Sequence, residues 1–161
     1  MKVGIDFDRV LFKTDKFKEE VLFEEIKGFE ETYSQIDGIY SPRKHAKILE
    51  IPVKDILQIL EKASDYLYED VELIKQSEHE FVIVTRGDPV FQEEKLEHSG
   101  ILNLVKDHKI VQEEDKDVKD IDILVDDLKS EIENADIKGY HFERPEDSIQ
   151  SLLDFIDGES C

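Results

Sequence analysis

The chain has 161 residues, of which 41 are acidic and 21 basic, for a formal charge of −20. This length suits one domain with room for one insert, and it buries a core without staples. The charge disfavours nucleic acid and anionic membranes as partners. No apolar run nears the roughly 18 residues of a membrane-spanning helix. The single cysteine, Cys161, permits no intramolecular disulfide. Asp6 and Asp8 fall where a signal peptide would be apolar. A globular, cytoplasmic protein is expected, with its oligomeric state, monomer or dimer, open.

Residues 2–6 (KVGID) form a short β-rich run ending in an acid. The next 65 residues or so (14–78) hold no convincing strand; helical periodicity fills roughly 15–36, 42–50, 52–62 and 64–76. Gly38 and Pro42 punctuate that stretch, and Pro52 can start a helix. Then come EFVIVT (80–85), the helical DPVFQEEKLEHSGI (88–101), KIVQ (109–112) and IDILVDD (121–127). DDLKSEIENADI (126–137) carries Leu128, Ile132 and Ala135 at helical spacing, KGYHFE (138–143) is a strand, and SIQSLLDFID (148–157) a terminal amphipathic helix. Strands apolar on consecutive positions are covered on both faces, which implies a parallel sheet. Their alternation with helices predicts an α/β fold, a Rossmann-like doubly wound sheet. A crossover needs only one helix, so the surplus predicts a small all-helical insert at 14–65 within a core of 1–13 and 66–161.

The strand ends carry the chemistry. The first delivers Asp6 and Asp8, which alternation puts on one side with Phe7 opposite. Alone, a D-x-D is equally the mark of two exposed loop acids. The second strand ends at Thr85, and the fourth at Asp126–Asp127, where either acid could be a helix cap but not both. In an open parallel sheet these ends share one edge. Four carboxylates gathered there demand a cation, and oxygen-only ligands point to a hard ion, Mg²⁺ where phosphate is the other ligand.

The ordered set hhhDxDxV, hhhT, a Lys and hhhDD resembles the haloacid dehalogenase-like superfamily of aspartate-nucleophile phosphatases, over about residues 1–13 and 66–157. The resemblance implies a sheet of order 5-4-1-2-3 and, for residues 14–65, a helical cap of the C1 type. It implies Asp6 as nucleophile, Asp8 as general acid and base, and Thr85 with the backbone of Arg86 as phosphoryl contacts. The metal falls to Asp6, the Asp8 carbonyl and Asp127, with Asp126 as accessory. Three departures accompany it. Arg9 stands where the family often has glycine and reads as a phosphate contact or a charged loop residue. The motif lysine is Lys116 by first choice, then Lys119 or Lys109, with only about five residues where a full helix is usual. The cap matches no substrate class.

Other candidates carry less. His45 is a possible substrate contact, although a solvated helix position is the more frequent state of such a residue. Tyr33, Tyr40, Tyr66 and Tyr68 are expected to pack the insert and its hinge. Arg43 or Lys44 is a candidate cap cation. The leading expectation is a Mg²⁺-dependent phosphohydrolase acting on a small phosphorylated metabolite. A phosphotransferase or mutase, or a catalytically weak metal- or ligand-binding relative, is the alternative. Asp8 argues against a dehalogenase. A signalling receiver domain needs its phosphorylated Asp about 40 residues on, where Asp55 sits in a helical pattern.

Overall fold

Among the described residues, 1–159, five short strands pair in parallel: β1 (Lys2–Ile5), β2 (Glu80–Arg86), β3 (Asp107–Val111), β4 (Ile123–Asp126) and β5 (Lys138–His141). Cys161 lies outside the described residues. In this computed structural model the spatial order is β3-β2-β1-β4-β5, the doubly wound order expected above. The chain winds outward from β1 to β3, then jumps back across the sheet to β4. Such a reversal opens a crevice at the carboxyl ends of the strands, the usual ligand position in open parallel sheets. Ile5 pairs with Ile83 on one side and Val125 on the other. The Asp6 N–H then donates to the Val125 carbonyl at 2.9 Å, so Asp6 and Asp126 leave the sheet side by side.

Between β1 and β2 the chain is helical but more broken than the periodicity suggests. The expected helix over 15–36 divides into α1 (Thr14–Phe17), a π-helical turn (Lys18–Leu22), α2 (Phe23–Glu25) and α3 (Phe29–Tyr33). Its break has a local cause: Ile26 is extended and Gly28 takes φ +81°, a conformation glycine adopts without steric cost. α4 (Pro42–Leu49) starts at Ser41, whose hydroxyl accepts the Lys44 N–H, and α5 (Val53–Ile59) continues as a 3-10 turn to Tyr66. The helix expected over 64–76 is also interrupted. Leu67 and Tyr68 are extended because they pair with the strand-like stretch after β1. The Lys13 N–H donates to Tyr66 O at 2.7 Å, and the Tyr68 N–H to Leu11 O at 2.9 Å. The insert leaves and re-enters the sheet through this two-stranded neck. α6 (Leu73–Gln76) then leads into β2.

Three helices follow the strands: α7 (Pro89–Ser99), α8 (Lys129–Asn134) and α9 (Ile149–Glu159). α7 has the expected punctuation, with the Asp88 carboxylate accepting the Phe91 N–H and Gly100 closing the helix at φ +88°. α8 is shorter than the 126–137 expected; Leu128 is extended and 55% exposed, so it does not join the apolar stripe with Ile132 and Ala135. No helix among the described residues is long and apolar enough to cross a membrane.

Alternation divides the strands between two faces. Val3, Ile5, Phe81, Ile83, Ile123 and Val125 belong to a core that runs without a break into the insert through Phe12, Phe17, Phe29 and Leu60. Val82, Val84 and Leu124 face a small second cluster with Ile121. No helix forms between β3 and β4; the connection lies directly on the sheet, and Ile121 takes the place of a helix. A β-carbon at Gly4 would fall 2.9 Å from the Ile121 Cδ1, which accounts for a glycine in the central strand.

Candidate active site at the sheet edge

Immediately after β1 the chain coils tightly, with the Phe7 carbonyl accepting N–H groups from Val10, Leu11 and Phe12 at 2.9–3.3 Å. Within this coil Arg9 takes φ +66°, a left-handed conformation that costs a residue with a β-carbon about 1 kcal/mol or more. This is a physical reason for a small residue there, and hydrogen bonds offset the strain: the Arg9 N–H donates to Phe12 O at 3.0 Å and to the Thr14 hydroxyl at 3.1 Å. The Arg9 guanidinium turns to Asp15 at 3.0 Å. It stands at the cavity rim with its charge already engaged.

Asp6, Asp126 and Asp127 converge. Each offers a carboxylate oxygen, and the three oxygens lie within 4.8 Å of one another. Lys116 reaches in from the β3–β4 connection, its ammonium 3.1 Å from Asp6 Oδ1 and 2.5 Å from Asp126 Oδ2. Burial pushes Asp6 well above the usual carboxylate range; Lys116 opposes this, while Asp126 and Asp8 add to it. Burial likewise raises Asp126 against the pull of Lys116. The Lys116 ammonium is held above its ordinary value because Asp6 and Asp126 outweigh its own desolvation. Three carboxylates against one lysine leave an excess of negative charge, and the donor set is oxygen only. Both features suit a hard divalent cation such as Mg²⁺, with Asp6, Asp126 and Asp127 as the residues able to hold it. The other two candidate lysines stand apart: Lys109 pairs with Asp117 at 3.4 Å, and the Lys119 N–H bonds the same carboxylate.

Asp8 has its own set of partners. Lys95 donates to Oδ1 at 2.7 Å, the Thr14 hydroxyl to the same oxygen at 2.9 Å, and the Gln92 amide to Oδ2 at 3.1 Å. Burial alone would raise Asp8, but Lys95 and these hydrogen bonds together hold it below the ordinary value, so it rests ionised. Gln92 also donates to the Thr85 hydroxyl at 2.9 Å. Thr85 is fully buried and sits behind Gln92, while Arg86 and Gly87 line the cavity. A side chain at Gly87 would strike Gln92, 2.6 Å from the built β-carbon.

The Arg86 side chain is committed elsewhere. It forks onto the Glu131 carboxylate at 2.8 and 3.0 Å and donates to the carbonyls of Gln112 and Glu114. Glu131 in turn lies 3.8 Å from Lys116. Arg86 and Glu131 therefore pin the irregular segment that carries the lysine. Burial tends to raise Glu131, but Arg86 and Lys116 bring it below its ordinary value.

Above these charges is a cavity of about 480 Å³. Its floor is the sheet edge, and its roof comes from the insert through Phe17, Leu22, Phe29, Tyr33, Ile39 and Tyr40. His45 is neither solvated nor among the lining residues. It is completely buried, between the Tyr40 hydroxyl at 2.8 Å and the Thr32 hydroxyl at 2.7 Å, because α4 turns it inward onto Phe29, with ring centroids 4.2 Å apart. Arg43 and Lys44 do not line the cavity. The insert's cation there is Lys18, whose ammonium lies 4.8 Å from the Tyr33 ring centroid. Tyr33 and Tyr40 pack the insert and face the cavity, whereas Tyr66 and Tyr68 belong to the neck.

No motif in the sequence marks Gln92, Lys95, Glu131, Thr14 or Lys18. For Gln92 and Lys95 the sequence does hold a signal. Phe91, Gln92, Lys95, Leu96 and Ser99 are the buried residues of α7 and fall on one helical face. A polar pair inside an apolar stripe needs a buried partner. Glu131 carries no comparable signal in a chain with 41 acids.

The chain has the haloacid dehalogenase-like fold. A haloacid dehalogenase-like family hydrolase from Xanthomonas campestris aligns with a TM-score of 0.54 at 17% identity, covering 89% of this chain and 82% of its own. A haloacid dehalogenase-like hydrolase from Burkholderia xenovorans LB400 aligns with a TM-score of 0.56 at 15% identity, covering 81% and 74%. At the level of sequence, no family model and no curated protein matches.

Proposed function

We propose that the protein is a Mg²⁺-dependent phosphohydrolase that cleaves a small phosphomonoester through an aspartyl-phosphate on Asp6. The observation that carries this reading is the meeting of Asp6, Asp126 and Asp127 at one point, with Lys116 between the first two. The hydrolase fold of the two neighbours is consistent with it. An Asp6 oxygen attacks phosphorus, the bond from phosphorus to the alcohol oxygen breaks, and that oxygen takes a proton from Asp8. Asp8 rests ionised, so it must first take this proton from solvent or from a substrate that arrives as the monoanion, and the negative charge of the bound phosphate raises its proton affinity. Water then adds to phosphorus and gives a proton to Asp8. The acyl–phosphorus bond breaks, phosphate leaves, and the Asp6 carboxylate is restored. Burial disfavours the ionised form of Asp6, so the opposing charge of Lys116, and of a cation there, is what would keep it a carboxylate able to attack. A divalent cation held by Asp6, Asp126 and Asp127 supplies the positive charge that phosphoryl oxygens require. The roof keeps bulk water from the intermediate. An acceptor hydroxyl in place of water would make the same chemistry a phosphotransfer.

One observation favours a second reading, a metal- or ligand-binding protein with weak turnover: paired with Lys95, Asp8 lacks the proton a leaving group needs. Release of p-nitrophenol from its phosphate, with and without Mg²⁺, separates the two. Wild type should turn over many times and only with the metal, and Asp6→Asn should fall to background. Undiminished activity in Asp6→Asn would falsify the nucleophile assignment. Stoichiometric capture of beryllium fluoride without repeated turnover would favour the second reading.

A further inference from the structure

The cavity is divided by chemistry. Its floor is charged, but the portion that the insert supplies is mostly ring and aliphatic carbon. Tyr33 and Tyr40 stack with centroids 5.2 Å apart at 21°, and Tyr40 meets Phe91 of α7 at 5.0 Å. Phe17 and Phe29 back this wall and are almost wholly buried, while Tyr33, Ile39 and Tyr40 keep partial exposure. The polar atoms of the roof are largely engaged. The Thr14 hydroxyl serves Asp8, the Tyr40 hydroxyl is bonded to His45, and Lys18 is shared between the Tyr33 ring and Asp15 at 3.9 Å.

A sugar phosphate bound here would bury several hydroxyls against carbon, each losing water without a replacement partner. A planar aromatic group presents an apolar face to the roof, with any polar atoms confined to its edge, and gains ring-to-ring contact with the tyrosines. We infer that the substrate is a phosphomonoester whose organic part carries a flat aromatic ring, an aryl group or a nucleobase, seated against Tyr33 and Tyr40 while its phosphate lies at Asp6. This inference rests on the phosphohydrolase reading for the phosphate end and on the roof alone for the ring end.

The two ends are tested separately with uridine 5′-monophosphate and ribose 5-phosphate, which share the reacting ester and differ by the base. Benzyl phosphate and hexyl phosphate form a second matched pair, ring against chain. In wild type with Mg²⁺, kcat/KM should be at least ten-fold higher for the ring-bearing member of each pair, and Tyr33→Leu and Tyr40→Leu should bring the ratios toward one. Hydrolysis of all four esters with ratios near one, or favouring ribose 5-phosphate or hexyl phosphate, overturns the ring inference and leaves the phosphohydrolase reading standing. The same pairs titrated calorimetrically into Asp6→Asn with Mg²⁺ read the ring preference without turnover. A ten-fold tighter Kd for the ring-bearing members there, with no hydrolysis in wild type, would uphold the ring site and sink the phosphohydrolase reading. Equal affinities, or binding of none of the four, would overturn the ring site.

Discussion

The two buried lysines at the sheet edge are positioned by opposite means. Lys95 rides on α7, an eleven-residue helix closed by Asp88 at one end and Gly100 at the other, and it meets Asp8 because helical geometry puts it beside Phe91 and Leu96. Lys116 rides on an irregular connection between β3 and β4 and is placed by charge and by apolar anchors, chiefly the buried Ile121 with Val118 beside it. Arg86 and Glu131 pin the segment on one side of the lysine, and Ile121 pins it against Gly4 on the other. Regular secondary structure fixes a side chain through its backbone. An irregular segment must be fixed by the contacts of its own side chains, so it is the more easily displaced.

The largest effect is expected at the charge itself. Lys116→Met would leave Asp6 and Asp126 buried without a cation, and breaking such a pair from one side costs about 3–5 kcal/mol. Urea unfolding without divalent ions should show that loss. Saturating Mg²⁺ should recover part of it, since a ligand that binds only the folded state adds stability by mass action. A loss under about 1 kcal/mol, or one that Mg²⁺ leaves unchanged, would mean that the three aspartates are not one cation site.

Ile121→Ala sharpens the contrast, with Leu96→Ala on α7 as its counterpart. Each removes a buried side chain and should cost about 2–4 kcal/mol. Ile121→Ala should also free the lysine segment, reducing kcat by about ten-fold or more, as misplacement of a catalytic group does. Leu96→Ala should leave kcat within about three-fold, because the helix still carries Lys95 and Gln92 through its backbone. Equal kcat losses in the two variants would show that the irregular segment is no softer than the helix.

Much of the fold is legible in the sequence because it rests on short-range patterns. Consecutive apolar positions mark strands covered on both faces, Asp88 and Gly100 mark the ends of α7, and the acids at the strand ends follow directly from the strands. The breaks within the insert are less legible. Gly28 is one glycine among seven, and the extended pair Leu67–Tyr68 is imposed by hydrogen bonds to Leu11 and Lys13, 53 to 57 residues earlier in the chain. The same limit applies to the site. Asp6, Asp8 and Asp126–Asp127 announce themselves by position, whereas Glu131 matters because it touches Arg86, a contact spanning 45 residues. His45 shows the converse, for a histidine on a charged helix gives no sign of Tyr40 and Thr32 closing over it.

Lys95→Met should have a smaller effect than Lys116→Met, because Asp8 keeps the Thr14 and Gln92 hydrogen bonds. Loss of one charge-assisted partner is expected to cost about 1.5–3 kcal/mol. The pH profile is the more telling readout. Without Lys95, an acidic group in kcat/KM should titrate at higher pH than in wild type, since a principal influence holding Asp8 down has gone. An unmoved profile would remove Asp8 from the proton-transfer role.

The smallest effect concerns a third anchor of the same loop, placed by neither a helix nor a buried lysine. Arg144 donates to the Val10 carbonyl at 2.9 and 3.1 Å, forks onto Asp70 at 2.7 and 2.8 Å, and lies over the Tyr68 ring at 4.0 Å. It thereby ties the coil after β1 to the re-entering end of the neck. Burial would raise Asp70, but Arg144 and the Ile149 N–H outweigh it and hold Asp70 below the ordinary carboxylate value. A carboxylate depressed on folding stabilises the protein above its unfolded value, near 3.9, and loses that contribution as pH falls through the lower folded value. Asp70→Asn should therefore cost about 1–2 kcal/mol at pH 7, the scale of a charge-assisted bond that is partly exposed. Its difference from wild type should shrink steadily below about pH 4. Urea unfolding at pH 7 and at pH 3 checks the sign: a difference that grows in acid would show that Asp70 is not held ionised by Arg144, and that the coil after β1 depends on its own hydrogen bonds alone.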